Sequence, residues 1–162
     1  MPEPTDKDAA VFEQKPPFRR MREEERERLL TERDQGVLAT VSPSGFPHLA
    51  PVLFTWDPSE RVIRISTRAG RVKATNLAND PHAALHVEGP DRWSFVVAEG
   101  PGDVSPVTIE PGDATGRELL SIFPQPDPAA EAAFLATQVA EHRVVLRLHV
   151  SRLYGDTIDF VN

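Results

Sequence analysis

The chain has 162 residues, 40% hydrophobic and 27% charged, which suits one domain with one buried core. It has no cysteine, which excludes disulfides, thiolate metal sites and a cysteine nucleophile, and its net charge of −7 argues against a nucleic-acid partner. No run of 18 apolar residues occurs, and the acidic start lacks the basic-then-apolar layout of a secretion signal, so the expectation is a cytoplasmic protein without a membrane span.

In chain order, residues 1–18 are expected to be a flexible arm, with residues 19–162 forming a single domain. The mixed-charge run 19–34 predicts a covering helix with Met21, Leu29 and Leu30 as its apolar stripe. From Gly36 the pattern changes to period two. It predicts a strand over Val37–Ser42, a turn at Pro43-Ser44-Gly45, a second strand over His48–Trp56 and a third over Arg61–Thr67. A short helix follows over Arg71–Asn79, burying Val72, Leu77 and Ala78 and ending at Pro81.

Ala83–Glu88 reads as the fourth strand. Ser94–Glu99 and Gly102–Pro106 read as a fifth, kinked at Gly100-Pro101-Gly102. Two helices, Asp113–Phe123 with Asp113 as N-cap and Ala129–Glu141, precede a last strand over Arg143–Tyr154. In that strand Val144, Leu146, Leu148 and Val150 alternate with Val145, Arg147, His149 and Ser151. The result is a mainly β fold with short helices, in which six strands manage their edges by curling into a barrel.

The segment Ile65–Pro81 is the richest in chemistry. Ser66, Thr67, Arg68, Gly70, Arg71 and Lys73 put two hydroxyls, a glycine and three cations at a strand-to-helix junction. Lys73 is one of three lysines, against fifteen arginines. Hydroxyls, guanidinium forks and a helix start are what a phosphate group seeks. By composition alone the segment is equally a solvent-exposed basic turn.

Thr67, Arg71, Lys73, Asn76-Leu77, Asp80-Pro81 and Ala83-Ala84-Leu85, in that order, resemble the pyridoxamine-phosphate-oxidase-like flavin and deazaflavin proteins. The upstream hairpin is similar too, through Gly36–Val41, Gly45–His48 and Pro51–Phe54, and the likeness spans roughly residues 25–155. The resemblance implies a six-stranded split β-barrel forming a homodimer, with cofactor sites at the interface. It implies that Ser66, Thr67, Arg71 and Lys73 hold a phosphate-bearing tail, with Asn76 in the same binding segment. The backbone of Leu49, Ala50, Pro51, Val52 and Leu53 would lie along the ring system, and the second subunit would close the site from strand five or the late helices.

Pro47–Phe54 and the short form of the chain look more like the coenzyme F420 branch than the FMN branch. The ending Arg152–Asn162 departs from the arginine-rich substrate segment of true pyridoxamine-phosphate oxidases. The implied activity is an F420-dependent oxidoreductase passing a hydride between the deazaflavin and an organic small molecule. The alternatives are an FMN-dependent oxidoreductase and a non-catalytic carrier of flavin, deazaflavin or haem. No side chain is singled out as catalytic. His82 and His86 are four apart, but on a strand they stand about 13 Å from each other, too far to share a metal ion. His48 is a strand-end residue near the implied ring site, and no Gly-x-Ser-x-Gly frame supports a serine hydrolase.

Overall fold

The computed structural model describes residues 18–158. They form β1 (Phe18–Arg20), α1 (Glu23–Glu32), β2 (Gln35–Val41), β3 (Pro47–Leu53), β4 (Thr55–Asp57), β5 (Val62–Arg68) and α2 (Val72–Asn79). There follow β6 (His82–Glu88), β7 (Phe95–Val104), α3 (Ala114–Ile122), α4 (Pro128–Ala140), β8 (Arg143–His149), β9 (Arg152–Tyr154) and β10 (Asp156–Ile158). The arm expected over residues 1–18 lies outside the described residues apart from Phe18, which opens β1 and pairs with Ile158 of β10. No helix among the described residues is long and apolar enough to cross a membrane.

The main sheet runs β3-β2-β6-β7-β8-β5-β4, with β9 added to β7, and every pairing is antiparallel. β7 turns the corner. Its first part, Phe95–Pro101, pairs with β6, and Gly102–Val104 pairs with β8, so the expected kink is where the strand changes partner. Glycine is required there, because a Cβ on Gly100 would collide with the His149 carbonyl. The curled sheet does not close. β3 and β4 end the order, and the chain passes between them through Phe54 alone. β4 pairs only Val62–Arg64 of β5, so the stretch Ile65–Arg68 has no strand on that side. The split of the barrel lies between this stretch and β3.

Two of the expected strands are each broken in two. The strand over His48–Trp56 stops at buried Phe54, whose N–H donates to the Asp34 carbonyl at 2.8 Å. The strand over Arg143–Tyr154 stops at Val150-Ser151, whose N–H groups donate to Arg61 (2.9 Å) and Glu99 (3.0 Å). At both points the chain leaves one neighbour for another, which alternation of side chains cannot reveal. The face of α2 also differs from expectation: Ala74, Asn76 and Leu77 are buried, while Val72 and Ala78 are exposed. The Asn76 amide sets that rotation by donating to Thr40 Oγ1 of β2 at 3.1 Å.

Leu38, Ile63, Ile65, Leu85, Val87, Val96, Ala98, Val144, Leu146 and Leu148 fill the barrel, and α1 adds Leu29 and Leu30. Each such large side chain contributes roughly 1.5–3 kcal/mol by leaving water. The other face of β8 carries Val145, which packs under Leu119 and Ile122 of α3, with Phe123 and Phe134 beside them. This outer layer forms the wall next to the split.

Asp113 anchors that wall. Its carboxylate accepts from Gly116 N (2.7 Å), Ile109 N (2.9 Å), Thr108 Oγ1 (2.9 Å) and Glu110 N (3.3 Å). Desolvation alone would raise its pKa, but these bonds prevail and hold it at about 2. A depressed carboxyl contributes stability that is present above its ordinary value of 3.8 and is lost as pH falls through about 2. Asp113→Ala is expected to lower unfolding stability by about 1–2 kcal/mol in urea titrations at pH 7. The deficit should shrink below pH 3.

Candidate functional site

The split of the barrel is an open cleft of about 630 Å³. Pro51, Val52 and Leu53 of β3 form one side, and Ser66, Thr67 and Arg68 at the end of β5 form the other. Arg71 and Lys73 enter from the start of α2, Arg143 from the start of β8, and Phe123, Phe134 and Gln138 from the outer helices. Gly70, at φ +81, turns the chain from β5 toward α2 in a backbone region that favours glycine.

The cleft thus gathers Pro51, Val52, Leu53, Ser66, Thr67, Arg71 and Lys73 from the residues expected to form the site. It does not gather the rest. Leu49 points outward and is 64% exposed, and Leu49 and Ala50 are not among the lining residues. Asn76 is only 3% exposed and is committed to Thr40, so it holds α2 against β2 beneath the cleft.

Arg68, one of the three cations of the segment, joins the cleft as well, whereas Arg143, Phe123, Phe134 and Gln138 were not anticipated. Arg143 stands opposite Arg68 in the β5–β8 register, a pairing that only the folded sheet discloses. Phe134 and Gln138 are four apart in α4 and so share a face, a spacing visible in the sequence but easily read as core packing. The late helices, expected from a second subunit, line this cleft from the same chain.

No carboxylate lines the cleft. Arg143 and Arg68 are held by Glu141 just outside it, at 2.6 and 3.1 Å. Arg71 and Lys73 have no ion-pair partner among the described residues. Burial, then the charges of Arg71 and Arg143, push the Lys73 ammonium below its ordinary pKa. α2 starts at this point: the N–H of Ala74 donates to the Arg71 carbonyl at 2.9 Å, and those of Val72 and Lys73 precede the helical ladder. Two hydroxyls, cations without an ion pair and a helix start are chemically suited to a phosphate-sized anion.

The β3 side has a distinct backbone pattern. Ser42 N donates to Phe46 O and Phe54 N to Asp34 O, so the even-numbered residues of β3 are those bonded to β2. The backbone groups of Pro47, Leu49, Pro51 and Leu53 therefore face away from β2. Proline has no N–H, so this edge offers four carbonyls but only the donors of Leu49 and Leu53. A flat heteroaromatic with mixed donors and acceptors can hydrogen-bond along such an edge.

The family model of pyridoxamine 5'-phosphate oxidase matches residues 22–155. An F420H(2)-dependent biliverdin reductase from Mycobacterium tuberculosis (strain CDC 1551 / Oshkosh) is 28% identical over 127 residues, 78% of this chain and 82% of that protein. The solved structure of an F420 reductase is also 28% identical, with a TM-score of 0.52 over 76% of this chain and 92% of its own. A conserved hypothetical protein from Mycobacterium tuberculosis has the same fold, with a TM-score of 0.67 at 22% identity, covering 88% of this chain and 91% of its own.

The depressed pKa gives the cleft a signature independent of any cofactor. Charged Lys73 costs stability at neutral pH, a cost relieved as pH rises through its folded value. A bound anion relieves the same cost at neutral pH. At equal ionic strength, phosphate should raise the Tm of the parent protein above its value in chloride. Lys73→Ala should abolish most of that difference, as read by differential scanning fluorimetry.

Proposed function

The chain belongs to the pyridoxamine 5'-phosphate oxidase family, and from that premise we propose that it is an F420-dependent oxidoreductase that reduces an organic acceptor. The observation that carries this reading is the meeting of Ser66, Thr67, Arg71 and Lys73 with the Pro51–Leu53 edge in one cleft without a carboxylate. The F420-dependent relative and the F420 reductase, both 28% identical, support the deazaflavin over FMN. The donor set fits a phosphorylated tail, and the edge of β3 fits a ring.

In this reading Lys73 and Arg71 take the tail phosphate, with the hydroxyls of Ser66 and Thr67 completing its hydrogen bonds. The backbone of Pro51, Val52 and Leu53, with the outward N–H of Leu53, would hold the ring against β3. Phe123 and Phe134 keep water from the gap and so strengthen the polar contacts inside it. When bound, the reduced deazaflavin supplies a hydride. The chain's own part is to bind, to orient and to keep the site dry.

We also propose a homodimer assembled on the outer face of β3. Pro47, Leu49, Pro51 and Leu53 share one face of that strand, and Phe46 extends it at the turn. Leu49, Leu53 and Phe46 are exposed although large and apolar, and an apolar patch of this kind marks an association surface. A second copy there would lie over the ring side of the cleft. Leu49→Asp is expected to shift the protein to monomers in light-scattering chromatography while leaving its Tm within a few degrees.

Titration with F420 and FMN side by side, followed by ligand fluorescence, tests the cofactor assignment. F420 should saturate at lower concentration than FMN. Tighter FMN binding would move the assignment to the flavin branch, and failure of both to bind would remove the reading. Lys73→Ala should weaken F420 binding by roughly 10- to 100-fold, the weight of a charge-assisted hydrogen bond. Biliverdin, the acceptor named for the relative from Mycobacterium tuberculosis, is the first acceptor to assay.

A further inference from the structure

α4 has thirteen residues, and the one that is buried is polar: Gln138, at 7% exposure. It lines the cleft together with Phe134, one turn earlier, and Phe123 from the end of α3. The two rings pack at 6.4 Å between centroids with a 55° tilt, giving the cleft an apolar wall around the amide. Gln138 Nε2 has only a long bond, 3.4 Å, to the Phe134 carbonyl of its own helix. No protein donor among the described residues reaches its Oε1.

Oε1 is therefore open to the cleft, where solvent or a ligand supplies its hydrogen bond. The other polar side chains lining this cleft are four cations and two hydroxyls, all able to donate. Oε1 of Gln138 is the one side-chain carbonyl among them. An ionised phosphate group carries no hydrogen to give it. A ligand group that bonds to Oε1 must bear an O–H or N–H, and beside four cations a neutral one is favoured over a charged donor.

We propose that Gln138 binds a hydroxyl of the polyol chain joining the ring to the phosphate. It thereby recognises the linker separately from the phosphate held at Lys73 and from the ring held at β3. This assignment rests on the reading of the cleft as a flavin-type or deazaflavin site. Gln138 is a binding residue and takes no part in hydride transfer.

Three compounds separate these contacts: 5-deazalumiflavin, which has the ring alone, 5-deazariboflavin, which adds the polyol, and 5-deazariboflavin 5'-phosphate, which adds the phosphate. Dissociation constants are read by fluorescence, with Tm as the check on folding. Gln138→Leu should weaken 5-deazariboflavin and its phosphate by roughly fivefold each, the weight of one neutral hydrogen bond. It should leave 5-deazalumiflavin unchanged. Lys73→Ala should weaken the phosphate alone. Gln138→Glu keeps an acceptor, so it should hold 5-deazariboflavin as the parent does and lose affinity for the phosphate through repulsion. The proposal is overturned if Gln138→Leu binds all three like the parent, or weakens all three equally, as a packing role would. If the phosphate compound fails to bind the parent protein, the cofactor reading falls and takes this assignment with it.

Discussion

The structure depends on a hydrogen-bonding constraint: a curled sheet that stops short of closure must leave two edges unpaired. Here those edges are β3 and the upper part of β5, because β4 covers only Val62–Arg64. Phe54 is the single residue bridging them, and its burial pins the two halves at one end. The gap above it is wide enough for a ligand and lined by backbone that has no other partner. Closure by one more strand would stabilise the barrel and erase the site.

Electrostatics then decides what enters. The whole chain carries an excess of acid, yet the cleft holds four cations and no carboxylate. Most other arginines on the barrel are matched. Arg147 is paired with Glu118 at 2.6 Å and Asp103 at 2.7 Å, and Arg64 with Glu60 at 2.8 Å and Glu118 at 3.0 Å. Those networks tie α3 to β5 and β8 and leave no surplus positive charge. Arg71 and Lys73 are left unmatched beside the gap, so the local field opposes the sign of the whole molecule. An anion approaching this acidic protein meets an excess of negative charge overall and a concentration of cations at the cleft.

Much of this was legible in the sequence. Period two located β2, β5, β6 and β8, and Gly100-Pro101-Gly102 marked the bend of β7. The cluster of hydroxyls and cations between β5 and α2 was readable because its residues are contiguous, so no long-range pairing had to be known. What stayed hidden is what depends on register and on rotation. Arg143 belongs to the cleft only because β8 pairs with β5 so that it faces Arg68. Asn76 was placed with the ligand because it lies within the binding segment, but one hydrogen bond to Thr40 turns it inward. Val72 and Ala78 were expected inside for want of that same bond. The breaks at Phe54 and at Val150-Ser151 follow from changes of strand partner, which local patterning does not record.

The two prolines of β3 reach beyond ligand binding. A free strand edge is a template on which another chain can add a strand, and from there a fibre can grow. With the donors at positions 47 and 51 deleted, a strand laid against β3 would lose every second bond it should receive. Copies of this chain can therefore meet through side chains without fusing their sheets. The same missing donors protect the edge from the polymerisation that an open barrel would otherwise invite.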